Sequence, residues 1–220
     1  MGRMITFVRP DGGSTNGWLA EAGGDRPGVI VLQEWWGLND QICGVADRFA
    51  RNGYNALAPD LYEGRVTGDA NEASHMMEGL DFPGATHQDI KGAARHLKSI
   101  TNGRVAVTGF CMGGALTIAA GVHVAECDVA VAFYGIPPKE FADASAIRIP
   151  FQGHFANIDD WCTPEAVDSL AKDLEAGGVA GELHRYDAQH AFFNEVSDAY
   201  DVASARTSWT RMMEFLSAEL

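Results

Sequence analysis

Basic side chains are scarce in this chain. Lys and Arg number 16 against 30 Asp and Glu, a formal net charge of -14. That balance speaks against nucleic acid or an anionic membrane as a partner, since both demand clustered cations. Cysteine is scarce too: Cys43, Cys111, Cys127 and Cys162 are widely spaced, with no C-x-x-C pair and no Cys/His ligand spacing. A zinc site is therefore not expected, and reduced thiols in a cytosolic compartment are the simplest account. No stretch approaches the ~18 uninterrupted apolar residues of a membrane span, and Met1 to Thr6 lacks the apolar region of a signal peptide. Internal repeats, low-complexity tracts and linkers are missing as well, so nothing marks a second domain. Residues 1–220 are expected to form one domain, long enough for a large core.

What is present alternates. Ile5 to Val8 and Gly17 to Ala20 flank a Pro10-Asp11-Gly12-Gly13 turn cluster and read as an antiparallel opening hairpin. Buried strands are expected at Gly28 to Gln33, Tyr54 to Ala58, Val105 to Thr108, Val129 to Tyr134 and Ile147 to Phe151, with a last strand at Glu182 to Tyr186. Between them come a helix capped by Asn39 and running through Ala50, a helix over 83–99, one following Gly113-Gly114, one over 164–176 and a closing helix over 199–216. The alternation predicts an α/β fold with a mainly parallel sheet and helices on both faces. Asp60 to Gly84 is irregular and polar, with a short helical stretch at 72–78; its length suggests a cleft wall.

The chemistry centres on Gly109-Phe110-Cys111-Met112-Gly113-Gly114. A β-branched run, a glycine-flanked turn and a helix meet at Cys111, in the G-x-S-x-G nucleophile-elbow frame with sulfur replacing oxygen. A nucleophile there needs a base and a group to orient it, in the chain order nucleophile, acid, histidine. Asp159 and Asp160, then His190, follow Cys111 at strand ends, where open parallel sheets place their sites. The other histidines fit that order less well, His154 being expected in a strand-end loop ahead of the carboxylates. Adjacent carboxylates repel, so one of Asp159 and Asp160 faces His190 and the other solvent or the helix start near Thr163-Pro164; Asp159 is preferred. Glu34 follows the third strand. There it either opposes a thiolate on Cys111 or accepts from its thiol, or it is an exposed loop residue. The expected oxyanion donors are the backbone N–H groups of Trp35 and Met112.

These stretches resemble the dienelactone hydrolase family (carboxymethylenebutenolidases) of the α/β-hydrolase superfamily. Gln33-Glu34-Trp35-Trp36-Gly37-Leu38-Asn39 and Gly109 to Gly114 carry the likeness most specifically. Ala58 to Tyr62, Phe133-Tyr134-Gly135, Gly153 to Asp160 and Tyr186 to Phe192 extend it in family order. The resemblance implies a Cys111-His190-Asp159 triad, Glu34 as a carboxylate contacting the resting thiol, and hydrolysis of small lactones or activated esters through a thioester acyl-enzyme. It also implies no metal or organic cofactor and a monomer. A broader carboxylesterase or thioesterase with the same triad is the alternative, and a non-catalytic or redox-responsive binding protein a third reading. One departure stands out: where the family places a substrate-binding arginine four residues after the histidine, this chain has Asn194. Arg65 is the candidate for a second arginine or else a solvated loop charge. Tyr134, Trp36 and Asn194 join Arg65 as expected substrate contacts, with Trp35, Trp36 and Trp161 as possible pocket walls.

Overall fold

In the computed structural model, which describes residues 2–220, the chain opens with the expected hairpin. Strands β1 (Arg3–Val8) and β2 (Ser14–Ala20) pair antiparallel with Ile5 opposite Gly17. The next strands are β3 (Gly28–Leu32), β4 (Asn55–Pro59), β5 (Val105–Phe110), β6 (Val129–Phe133), β7 (Phe151–Ile158) and β8 (Gly181–Gln189). β2 lies antiparallel on β4, and every later pairing is parallel. The resulting sheet has the order β1-β2-β4-β3-β5-β6-β7-β8. β5 is thus central, flanked by β3 and β6.

Seven α-helical segments connect the strands. They are α1 (Asp40–Arg51), α2 (Ala70–Glu78), α3 (Phe82–Gly84), α4 (Lys91–Ile100), α5 (Met112–His123), α6 (Pro164–Gly177) and α7 (Val202–Glu219). A π-helical stretch, Ala85–Ile90, joins α3 to α4, so the helix expected over 83–99 is continuous but underwound near its start, where the bonds span five residues instead of four. Side-chain alternation splits the central strands between two cores. Ile30, Leu32 and Val107 face a layer with Leu97 of α4, Leu116 of α5 and Val167 and Leu170 of α6. Val29, Val31 and Val131 face a layer with Ile42, Val45 and Phe49 of α1 and Trp209 and Met212 of α7. Both faces are covered, which is why these strands read as unbroken apolar runs.

Several element boundaries differ from expectation: β2, β5 and β8 run two or three residues longer at one end, and two further differences have a clear cause. The strand expected at Ile147 to Phe151 begins at Phe151 and runs to Ile158. Pro150 has no N–H for a ladder, and only its carbonyl pairs, with Ala130 N at 3.0 Å. The extension was masked by Gln152 and His154, polar residues that are fully buried because they satisfy one another: His154 Nε2 meets Gln152 Oε1 at 2.9 Å and Nδ1 meets Tyr186 O–H at 2.8 Å. His154 accordingly sits inside β7, not in a strand-end loop. The closing helix starts at Val202 rather than Ala199, where Asp201 caps it by accepting from Ser204 N at 2.7 Å.

Leu116 lies fully buried on α5 directly behind the strand-to-helix turn. Leu116→Ala removes its packing and leaves a cavity, and is expected to cost about 3 kcal/mol. Urea unfolding should show a lower midpoint with an unchanged slope; a loss under about 1 kcal/mol would mean the two layers collapse around the gap.

Candidate active site

Cys111 stands between β5 and α5 with φ 55° and ψ −117°, a left-handed backbone that a side-chain-bearing residue adopts only when its surroundings impose it. The imposing contacts come from glycines. A Cβ on Gly113 would lie 2.5 Å from Leu32 O, one on Gly109 would strike Gly113 O, and one on Gly114 would strike Phe133 O. Only hydrogens fit at these crossings. Cys111 is also tied down by its own backbone: its N–H donates to Phe133 O at 3.1 Å and its carbonyl accepts from Gly114 and Ala115 N.

Strand ends bring the partners to it. β7 stops at Ile158, so Asp159 is the next residue, and β8 stops at Gln189, so His190 is the next. Asp159 Oδ2 meets His190 Nδ1 at 2.8 Å. The other carboxylate oxygen, Oδ1, accepts from Trp161 N at 2.8 Å and Cys162 N at 2.9 Å. Burial alone would raise the Asp159 pKa, but the His190 contact and these two amides outweigh it and hold the carboxyl below its usual range. Asp160 is exposed at the cavity mouth. The Asp159 carboxylate thus offers an acceptor to His190 Nδ1 and leaves Nε2 free of that contact.

Glu34 is buried, at 3% exposure. Asn194 Nδ2 donates to its Oε2 at 2.7 Å and Tyr134 O–H donates to its Oε1 at 3.3 Å. Desolvation raises the Glu34 pKa despite these donors. The same burial, followed by the nearby Glu34 charge, pushes the Cys111 thiol well above its ordinary value, while the Met112 N–H works against that rise. Among the described residues no hydrogen bond joins Cys111 Sγ to His190 or Glu34. Burial and the Glu34 charge thus both disfavour a thiolate on Cys111.

A cavity of about 780 Å³ brings together Glu34, Trp35, Trp36, Cys111, Asp159, Asp160, Trp161, His190 and Asn194. Trp35 packs edge-on against both Trp36 and Trp161, at 5.0 and 5.8 Å between ring centroids. Thr67 and Gly68 of the irregular segment complete one wall. Arg65 is not in this lining: its side chain is exposed and its Nε donates to Tyr62 O at 3.4 Å. Tyr134 is fully buried beneath the cavity, with its hydroxyl on Glu34 and its ring edge-on to His190 at 5.1 Å. Asn194 reaches the lining, but its amide is spent on Glu34 and its Oδ1 on Val196 N. Expected as substrate contacts, Tyr134 and Asn194 therefore support the carboxyl instead. Sequence reading missed Cys162, whose N–H orients Asp159. The signal was available in Asp159-x-Trp161-Cys162, an aspartate followed two and three residues on by amides it can accept from.

A mainly parallel sheet, a strained strand-to-helix turn at Cys111, and Asp159 and His190 just beyond later strand ends are the layout of the α/β-hydrolase fold. The chain belongs to the dienelactone hydrolase family, whose model matches residues 16–220. It is similar to the protein "Protein usf" of Aquifex pyrophilus, 32% identical over 100% of both chains. It is likewise similar to the protein named "Putative carboxymethylenebutenolidase" in Escherichia coli (strain K12), 32% identical over 89% of this chain and 78% of that one. Among solved structures, a dienelactone hydrolase-like promiscuous phosphotriesterase from metagenomic libraries superposes with a TM-score of 0.89 over 100% of this chain and 98% of that one, at 24% identity, a likeness of fold. Among the described residues no helix is long and apolar enough to cross a membrane.

Glu34→Gln tests the carboxyl. A glutamine keeps both bonds, since Oε1 still accepts from Asn194 and the Tyr134 hydroxyl can turn to accept from Nε2. Because Glu34 has a raised folded pKa, its ionisation opposes folding. Its contribution is fully present below the unfolded carboxyl pKa and is lost as pH rises through the folded value. The variant is therefore expected to be more stable at neutral pH by about 1 kcal/mol, ~2–4 °C in Tm. Its Cys111 alkylation should also titrate at lower pH than in the parent. Unchanged Tm and alkylation profiles would show that Glu34 does not act on the thiol.

Proposed function

We propose that the chain hydrolyses small lactones or activated esters, with Cys111 as nucleophile, His190 as base and Asp159 as the group that orients the base. The observation that carries this is the 2.8 Å Asp159–His190 contact sharing one cavity with a cysteine in strained backbone. His190 Nε2 takes the Cys111 proton as Sγ adds to the carbonyl carbon. The oxyanion lies toward the Met112 and Trp35 N–H groups. As the C–O bond breaks, the proton passes to the departing alkoxide, which in a lactone stays tethered as the opened chain. Water, deprotonated by His190, then cleaves the thioester and releases the acid. The raised thiol pKa means that the thiolate forms in concert with attack rather than resting as an ion. No metal or organic cofactor is needed. The four unpaired thiols fit a reducing, cytosolic compartment, and we take the working unit to be a monomer.

One observation favours the broader carboxylesterase reading over a lactonase for carboxylated substrates. Among the described residues lining the cavity, Glu34, Asp159, Asp160 and Asp198 are acidic and none is Lys or Arg. Such a lining repels a substrate carboxylate and suits a neutral ester.

Cys111→Ala should lower kcat for p-nitrophenyl acetate by about a thousandfold or more while leaving Tm within a few degrees. Steady-state hydrolysis checks this, and residual activity near the parent's would remove Cys111 as nucleophile. In the parent, neutral aryl esters should have a higher kcat/KM than a carboxylated dienelactone; the reverse order would restore the lactonase reading.

A further inference from the structure

Cys111 opens onto two cavities, and only one of them contains the histidine. Besides the 780 Å³ cavity with Asp159 and His190, a second of about 390 Å³ is lined by Cys111 and Met112 and shares Trp161 with the first. Its walls are Met77 of α2, Phe82 of α3, Ala115 of α5, and Ile136, Pro138 and Phe141 of the loop after β6. No charged side chain lines it among the described residues, and its volume falls in the range of small-ligand pockets. The irregular stretch between β4 and α4 thus builds a wall of each cavity: Thr67 and Gly68 for one, Met77 and Phe82 for the other.

The geometry points to the second cavity as the acyl-chain site, and to esters with an apolar acyl group of several carbons as the substrate class. This rests on the hydrolase reading above and deepens it. At the tetrahedral carbon four substituents must be placed. Sulfur comes from Cys111. The oxyanion points to the Met112 and Trp35 N–H groups. The departing oxygen must lie where His190 can hand it the thiol proton, which fixes the alcohol in the larger cavity. Only the acyl chain remains, and the direction left for it is the apolar cavity. In the covalent step the Sγ–C bond forms, the C–O bond breaks, and the proton moves from sulfur through His190 to the alcohol; the acyl chain stays in place until water cleaves the thioester.

The test is the kcat/KM of the full chain toward p-nitrophenyl acetate, butyrate and hexanoate. Each added methylene that leaves water should raise kcat/KM about fourfold. Lengthening the alcohol of an acetyl ester should give no comparable gain. Ala115→Leu, which narrows the cavity from α5, should collapse the hexanoate-to-acetate ratio toward one, and Met77→Phe does the same from a separate helix should the first variant fold poorly. A series that is flat or falls with acyl length, or a gain that follows the alcohol, overturns the cavity assignment while leaving the hydrolase reading intact. Absence of turnover of every ester, or full acetate turnover by Cys111→Ala, overturns the hydrolase reading and this assignment with it.

Discussion

Everything at the site depends on the left-handed backbone of Cys111. Such a conformation costs of order 1–3 kcal/mol for a side-chain-bearing residue, so it persists only where surrounding contacts leave no alternative. β5 supplies the first constraint because it is hydrogen-bonded on both sides, to β3 and β6. α5 supplies the second, since it must start at once and pass so close to β3 and β6 that Gly113 and Gly114 lie against Leu32 O and Phe133 O. The chain has room for one residue between strand and helix. That residue is driven out over the sheet end, with the first amide of α5 beside its sulfur.

The second constraint is electrostatic and runs against stability. A carboxyl buried as Glu34 is would ordinarily be replaced by something apolar, because desolvation is repaid only in part by the hydrogen bonds from Asn194 and Tyr134. Its position beside Cys111 adds a further cost, since each anion disfavours the other. The two groups thus resist being charged together. Asp159 is the opposite case. It is buried too, but two amides and His190 surround it, and together they hold its carboxyl below the usual range. Two carboxyl groups lining one cavity are thus pushed in opposite directions by what lies around them.

Most of the frame was legible in the sequence, because its signals are local. The apolar runs of β3, β5 and β6, the caps at Asn39 and Thr163, and the Gly-x-Cys-x-Gly-Gly turn each reflect a constraint felt within a few residues. What was not legible depended on pairs distant in sequence. β7 was cut short because Gln152 and His154 look like loop residues until Tyr186 is seen opposite them. Asn194 and Tyr134 read as substrate contacts because their residue types suit that task, and nothing nearby reveals that Glu34, 160 and 100 residues away in sequence, takes their donors. Arg65 is the simplest case: a charge in an irregular segment has no periodicity to say which way it points.

Asn194 also shows how one position can set the character of a site through the carboxyl it binds. In the family pattern that this chain resembles, an arginine stands there. A guanidinium placed where the Asn194 amide donates to Glu34 would pair with that carboxylate, favour its ionised form and add a positive field to the cavity. A neutral amide keeps the hydrogen bond and removes the charge. Glu34 is left with a raised pKa, and among the described residues the cavity lining carries acidic side chains but no Lys or Arg. A carboxylate entering from solvent would meet the exposed Asp160 and Asp198 without a fixed cation to offset them. The same substitution therefore links two features: it weakens the case for an anionic substrate, and it leaves the buried carboxyl with only neutral donors to offset its desolvation. If the second cavity takes the acyl chain as proposed, discrimination between acyl groups falls to shape and apolar contact, the means its uncharged lining supplies.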